Sequence, residues 1–329
     1  MCAARFWLGL PLCGHSTCVP SREKESVHMP HLTTDDGVRL YFEDTGTGTP
    51  IVFVHEFAGD HRSWEPQVRY FSRRYRCITY SARGYVPSDV PENFESYSQE
   101  RWRDDIRSVI DALKLPVPHI VGLSMGGFAT LHFGMEYCRK GAPARALSLT
   151  IAGCGSGAHP SIYMQFQADA VALAGRIRAE GMEKMAATYG HGPTRIQFQN
   201  KDPRGFAEFA RQLAEHSAKG SANCSLGYQG RRPCIYDMTE QMAAIDVPAL
   251  VMTGDEDEAC LEPSLLLKRA IPKAGLAVLP KSGHGINLEE PALFNQLLGD
   301  FLHQVESGRW GARDPRAALQ SVYGPNGRP

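Results

Sequence analysis

Ser124 lies between two glycines in Gly122-Leu123-Ser124-Met125-Gly126-Gly127. A serine hydroxyl is a weak nucleophile until a base takes its proton and its geometry is fixed. The spacing G-x-S-x-G does the fixing: a sharp turn from strand to helix lifts the Oγ clear of the sheet, and the small residues let strand and helix approach. The chain holds 32 Gly in 329 residues, so the pattern needs companions. They follow downstream. Gly254 is succeeded by the acid run Asp255-Glu256-Asp257-Glu258, and His284 stands in Ser282-Gly283-His284-Gly285. Serine, acid and histidine in that chain order supply a nucleophile, an orienting carboxylate and a base, the equipment of acyl transfer. The plain alternatives are that Ser124 only caps a helix and that His284 is a structural loop histidine.

These residues need elements to hold them. Val117–Val121 is short and apolar, as a buried parallel strand should be, and Phe128–Met135 can form the helix after the turn. Further strands are expected at Ile51–His55, Cys77–Tyr80, Ala146–Ile151, Ala249–Thr253 and Ala277–Leu279. Helical stretches alternate with them, which predicts an α/β fold: a mostly parallel sheet with helices on both faces. Asp257 and His284 then fall just past the C-terminal ends of strands, the edge where open α/β sheets build their sites. A two-strand hairpin turning at Asp36-Gly37 is expected from Leu32 to Glu43. The alternation is interrupted from about His159 to Asp246 by helical segments at Met164–Glu180, Gly181–Tyr189 and Pro203–Lys219.

These motifs resemble the α/β-hydrolase fold family, over about residues 31 to 305. The resemblance rests on Gly122–Gly127, Gly254-Asp255-Glu256-Asp257 and Gly283-His284. It rests also on Val52-Phe53-Val54-His55 with the following turn and Trp64, and on Ala82-Arg83-Gly84-Tyr85-Val86-Pro87-Ser88-Asp89. It implies a core of residues 31–157 and 247–305 with a helical cap at 158–246. It selects Asp257 as the triad acid, three residues after the strand-ending glycine, with Asp255 as the alternative. It also implies an oxyanion hole made by the backbone N–H groups of Phe57 and Met125. His55 is expected to support the oxyanion loop by hydrogen bonding, Arg83 to anchor its loop or contact a substrate carboxylate, His132 to be packed structure and Trp64 an apolar anchor. The overall pattern is most similar to the capped enol-lactonase and esterase branch with a serine nucleophile.

The implied function is hydrolysis of a small carboxylic ester or lactone through an acyl-enzyme. The same triad could instead cleave a carbon–carbon bond or carry out cofactor-free perhydrolysis, and the fold could serve a non-catalytic binder. The chain departs from the family at one point. Members usually read His-Gly after the first core strand, whereas this chain reads His55-Glu56-Phe57-Ala58-Gly59. Glu56 could force a strained turn, tune the oxyanion turn, contact a polar substrate group, or simply point to solvent. Bulky residues that could line a pocket under the cap are Tyr163, Met164, Phe166, Tyr189, Phe198, Phe206, Tyr228 and Tyr236.

Composition fits a globular enzyme with a large core, at 43% hydrophobic and 22% charged residues. A formal net charge of -1 offers no basic face for nucleic acid. No stretch has the ~20 apolar residues of a spanning helix. The 9 Cys are odd in number and scattered, with no C-x-x-C pair, so reduced thiols in the cytoplasm are expected, with no metal and no cofactor. The expected partner is a small-molecule substrate, with no nucleic acid and no membrane. Residues 1–30 read as an extension, disordered or preceding a true start at Met29. Its run Phe6–Leu12 is short for a signal peptide and broken by Gly9 and Pro11. Residues 306–329, rich in Gly, Pro and Arg, read as a loose tail.

Overall fold

The computed structural model describes Met1 and residues 30–318. The expectations for residues 2–29, including the Phe6–Leu12 run, fall outside the described residues, as does the end of the tail. In chain order the elements are β1 (His31–Thr33), β2 (Arg39–Thr45), β3 (Pro50–Val54), α1 (Glu65–Phe71), β4 (Arg76–Tyr80), α2 (Gln99–Ala112), β5 (His119–Leu123), α3 (Met125–Tyr137) and β6 (Ser148–Ala152). Then follow α4 (Tyr163–Tyr189), α5 (Ile196–Lys201), α6 (Pro203–Ala214), α7 (Ala218–Gly227) and α8 (Thr239–Ala243). The chain ends with β7 (Ala249–Gly254), α9 (Glu258–Ala270), β8 (Ala274–Leu279), α10 (Ile286–Glu289) and α11 (Pro291–Glu306).

The strands form one sheet in the order β1-β2-β4-β3-β5-β6-β7-β8. β1 and β2 pair antiparallel, Leu32 opposite Leu40, and β2 pairs antiparallel with β4. All later pairings are parallel. Side chains on a strand alternate between faces, and the apolar ones sort accordingly. Val52, Val54, Ile78 and Ile120 share one cluster with Trp102, Ile106, Phe128 and Leu131 of α2 and α3. Ile51, Phe53, Val121 and Met252 face the other way, onto Phe71 of α1 and Phe294, Leu298 and Phe301 of α11. Helices therefore cover both faces, and β3, β5, β6 and β7 are buried throughout.

Trp64 is fully buried, tilted against Phe53 at 5.1 Å and Phe294 at 6.1 Å, so it does anchor the segment entering α1. Arg83 is also fully buried. It holds Asp105 through Nε at 2.8 Å and Nη2 at 2.6 Å, and Asp36 through Nη1 at 2.8 Å. It thereby ties the hairpin turn, the loop after β4 and α2 together. With its fork committed to two carboxylates, it is a loop anchor and not a substrate contact.

The excursion between β6 and β7 is helical. α4 carries a break at Gly181, with φ 80 and ψ 175, a backbone region open chiefly to glycine. The helix expected to run to Lys219 stops at Ala214. Ser217 caps a new one, its Oγ accepting the Gly220 N–H at 3.2 Å. Phe198, Phe206 and Phe209 pack on one another at 5.8 to 6.1 Å between centroids and form the insertion's own core. Past α11 the chain is held further than expected: Trp310 packs on Phe301 at 4.6 Å and donates its Nε1–H to Lys273 O at 2.8 Å. No described helix is long and apolar enough to cross a membrane.

Candidate active site

The turn between β5 and α3 sets Ser124 at φ 55 and ψ -115, a conformation that costs a non-glycine residue about 1–3 kcal/mol. Surrounding packing enforces it. A Cβ on Gly122 would lie 2.1 Å from Gly126 O, and one on Gly126 would lie 2.0 Å from Val54 O. Only glycines let α3 start this close to β5 and β3. Ser124 stands at the N-cap position, yet its side chain makes no capping bond. Its Oγ lies 2.8 Å from His284 Nε2, so the hydroxyl is turned toward the imidazole and not into the helix.

His284 Nδ1 lies 2.6 Å from Asp257 Oδ2. The chain of contacts fixes the roles: Nδ1–H donates to the carboxylate, leaving Nε2 free to accept from the serine. Asp257 is buried and follows β7. Asp255 is exposed, and its Oδ1 instead accepts the Ser282 N–H at 3.0 Å, bracing the histidine loop. Of the two acids, the structure brings Asp257 and not Asp255 to the imidazole.

Burial alone would push the His284 pKa down, but the charge of Asp257 and its hydrogen bond outweigh this and the net is upward. Burial likewise pushes Asp257 up, and the facing imidazole brings it net below its ordinary value. The ionised aspartate follows, and the imidazole beside it holds a proton more readily than a free one. Asp257, Cys260 and His284 offer ligand atoms within 4.8 Å of one another, but the His284–Asp257 hydrogen bond uses two of the same side chains.

Phe57 lies in the turn after β3 and Met125 opens α3. The peptide planes carrying their N–H groups are pinned from behind. Ala82 N–H donates to His55 Nε2 at 3.0 Å, so His55 Nδ1–H donates to Glu56 O at 2.7 Å. In a trans peptide the N–H opposes the C=O, so fixing Glu56 O aims the Phe57 N–H. Ser124 O accepts from Phe128 N at 2.9 Å, and the Met125 N–H therefore projects out of the helix start. Burial holds His55 down at about 4, neutral at ordinary pH, as an acceptor at Nε2 requires. Tyr85 and Tyr228 donate their hydroxyls to Phe57 O at 2.9 Å and Met125 O at 2.7 Å.

Glu56 does not point to solvent. It is 2% exposed and paired with Arg195, itself 1% exposed, in the segment leading into α5. Its φ is not positive, since Lys114, Ser124 and Lys281 are the described non-glycine residues that take that region, so the turn needs no glycine there and is not strained. The same segment reaches the histidine loop, where Thr194 O accepts the His284 N–H at 3.0 Å. Arg195 and Thr194 escape a reading of the sequence because nothing local marks them. The one signal is indirect: a carboxylate buried in the turn after β3 requires a cation.

Tyr228 and Tyr189 are the pocket candidates that reach this centre, Tyr189 meeting Phe57 edge-on at 5.8 Å. Phe198 and Phe206 belong to the insertion's core, and Met164 is exposed. His132 is buried with Nε2 unpaired and its pKa lowered by burial to about 4, which makes it packed structure.

The Alpha/beta hydrolase family profile matches residues 51–297. The 3-oxoadipate enol-lactonase 1 of Acinetobacter baylyi is 26% identical over 283 residues, covering 85% of this chain and 99% of that protein. A putative 2-succinyl-6-hydroxy-2,4-cyclohexadiene-1-carboxylate synthase of Bacillus subtilis is 28% identical over 281 residues, covering 84% and 98%. Among solved structures, a thermophilic esterase from Thermogutta terrifontis superposes with a TM-score of 0.72 at 26% identity, over 84% of this chain and 98% of its own. The profile spans well over half of the sequence and takes in the turn at Ser124, the acid loop at Asp257 and the loop at His284; the chain belongs to the alpha/beta hydrolase family.

Proposed function

We propose that this chain is a serine hydrolase that cleaves a small carboxylic ester or lactone through an acyl-enzyme, with Ser124, His284 and Asp257 as its triad. The observation that carries the reading is the continuous hydrogen-bonded chain from Ser124 Oγ to His284 at 2.8 Å and on to Asp257 at 2.6 Å. Ser124 Oγ attacks the carbonyl carbon while His284 Nε2 takes its proton. The oxygen that becomes negative is held by the Phe57 and Met125 N–H groups, each such donor being worth about 3 kcal/mol in the transition state. Collapse breaks the ester C–O bond, and the His284 proton goes to the departing oxygen. A water deprotonated by His284 then attacks the acyl carbon and frees Ser124.

In this reading the insertion between β6 and β7 acts as a cap that excludes water and shapes the acyl pocket. The names of the similar proteins, an enol-lactonase and an esterase, agree with ester chemistry, while the third is named as a putative synthase; one fold can host several reactions. A cytoplasmic location belongs to the same reading, because six described cysteines are buried and unbridged. The test is steady-state hydrolysis of p-nitrophenyl esters from acetate to octanoate, by the intact chain and by Ser124→Ala. Turnover lost in the variant supports the mechanism, and the chain-length optimum sizes the pocket. Turnover that survives in the variant overturns it.

A further inference from the structure

Besides Tyr189 and Tyr228, the insertion reaches the catalytic centre at two adjacent residues. Thr194 O accepts the His284 N–H at 3.0 Å, and the Arg195 guanidinium binds Glu56 in the oxyanion turn. Arg195 also stacks over Phe209 at 5.0 Å, and its Nη1 lies 2.8 Å from where a Cβ on Gly285 would stand. The guanidinium thus sits between the turn that presents the oxyanion donor and the residue after the base.

Resting on the serine-hydrolase reading, we propose that Arg195 is a positioning residue that completes the catalytic centre from the insertion. It neutralises Glu56 beside His284 and, with Thr194 O, fixes the histidine loop against the oxyanion turn. A dipeptide outside the core then controls both the charge balance at the base and the spacing of base and oxyanion donors.

The groups that face His284 come from every surrounding element. They are Asp257 from the loop after β7, Ser124 from the elbow, Glu56 from the turn after β3, Arg195 from the insertion and Cys260 from α9. Glu289 of α10 lies one residue further off, accepting the Gly283 N–H at 3.0 Å and paired with Lys201 at 3.1 Å. Two carboxylates therefore face one imidazole, and Arg195 cancels one of them. Without the guanidinium, an ionised Glu56 would favour the protonated imidazolium, which cannot act as a base, and burial would press Glu56 toward its neutral acid. Without Glu56, the bare guanidinium would disfavour it. The two neighbours act on His284 in these opposite senses, Arg195 downward and Glu56 upward.

The test is the pH dependence of kcat/KM on p-nitrophenyl acetate for the full chain, Arg195→Met, Glu56→Gln and the double variant. The acid limb reports the free-enzyme base. Arg195→Met should move that limb upward by roughly one pH unit, and Glu56→Gln should move it downward by a similar amount. The double variant should return to within about 0.3 unit of the parent, because both charges are gone. A residue that merely braces the fold would lower activity without opposite shifts. A limb that stays fixed in Glu56→Gln, or limbs that move the same way in both single variants, overturn the proposal. If Arg195→Met does not fold, Glu56→Gln and the double variant decide: an unmoved limb in Glu56→Gln overturns it. Failure of the underlying reading is separate, and would show as turnover retained by Ser124→Ala.

Discussion

Gly126→Ala should damage the chemistry more than its single methyl suggests. The added Cβ would lie 2.0 Å from Val54 O and 2.7 Å from His55 O, against an ordinary carbon contact of roughly 3.5 Å. Neither neighbour can give way as a side chain can, because both are backbone at the end of β3, which pairs with β4 and β5. The start of α3 must instead retreat by about 1 Å, and it carries the Met125 N–H with it. The Phe57 N–H stays behind, fixed through His55. On the proposed mechanism the two donors then no longer converge on one oxygen. Overpacking of this kind destabilises by about 1–3 kcal/mol, and a misplacement near 1 Å lowers the chemical step about 100-fold. Thermal unfolding and steady-state kinetics on p-nitrophenyl acetate read the two effects separately. The expected result is a melting point lower by several degrees and a kcat about 100-fold lower, with KM changed far less. A folded Gly126→Ala protein with the parent kcat would refute the idea that close approach at this glycine sets the oxyanion geometry.

Three other outcomes follow from the geometry. Asp257→Asn should lower kcat on the same ester by about 10,000-fold, whereas Asp255→Asn, at an exposed loop brace, should stay within about threefold. Since the base must be neutral and the net effect of its surroundings raises His284, kcat/KM should climb with pH through a limb above the ordinary histidine value of about 6.5; a pH–rate profile with its limb below that value contradicts the assignment of the base. Arg83→Met leaves Asp105 buried without its partner and should cost about 3–5 kcal/mol in urea unfolding, while the acid limb of the rate profile stays where it was.

The parts of the site that a sequence reveals are those held by local backbone. The elbow at Ser124 and the loops of Asp257 and His284 declare themselves through glycines and strand ends, because close backbone approach leaves only one residue type. Element ends were less legible. β5 begins at His119 and not Val117 because Pro118 has no N–H to give the ladder and Val117 is exposed. β8 begins at Ala274, three residues early, since pairing with β7 runs from Ala249 onward whatever the side chains. Glu56 marks the harder limit. Its departure from glycine is plain in the sequence, but its fate depends on Arg195, which sits 139 positions away. The sequence shows both residues and nothing that joins them, since only the folded insertion brings them together. Tyr228 and Tyr85 behave alike: each is an ordinary aromatic until folding lays its hydroxyl on the carbonyl of Met125 or Phe57.

The break at Gly181 divides α4 into two rods with different attachments. The first is fastened to α7, through Ser225 Oγ to Ala170 O at 2.7 Å and Arg178 Nη2 to Asn223 Oδ1 at 3.0 Å, and it presents Met164 and Val171 to the outside. The second leads into the stretch that holds Glu56 and the His284 N–H. A substitution that tilts the first rod can pivot at the glycine without dragging the second. The outer rod can therefore change its tilt while Thr194 and Arg195 keep their hold on the His284 loop and the turn at Glu56.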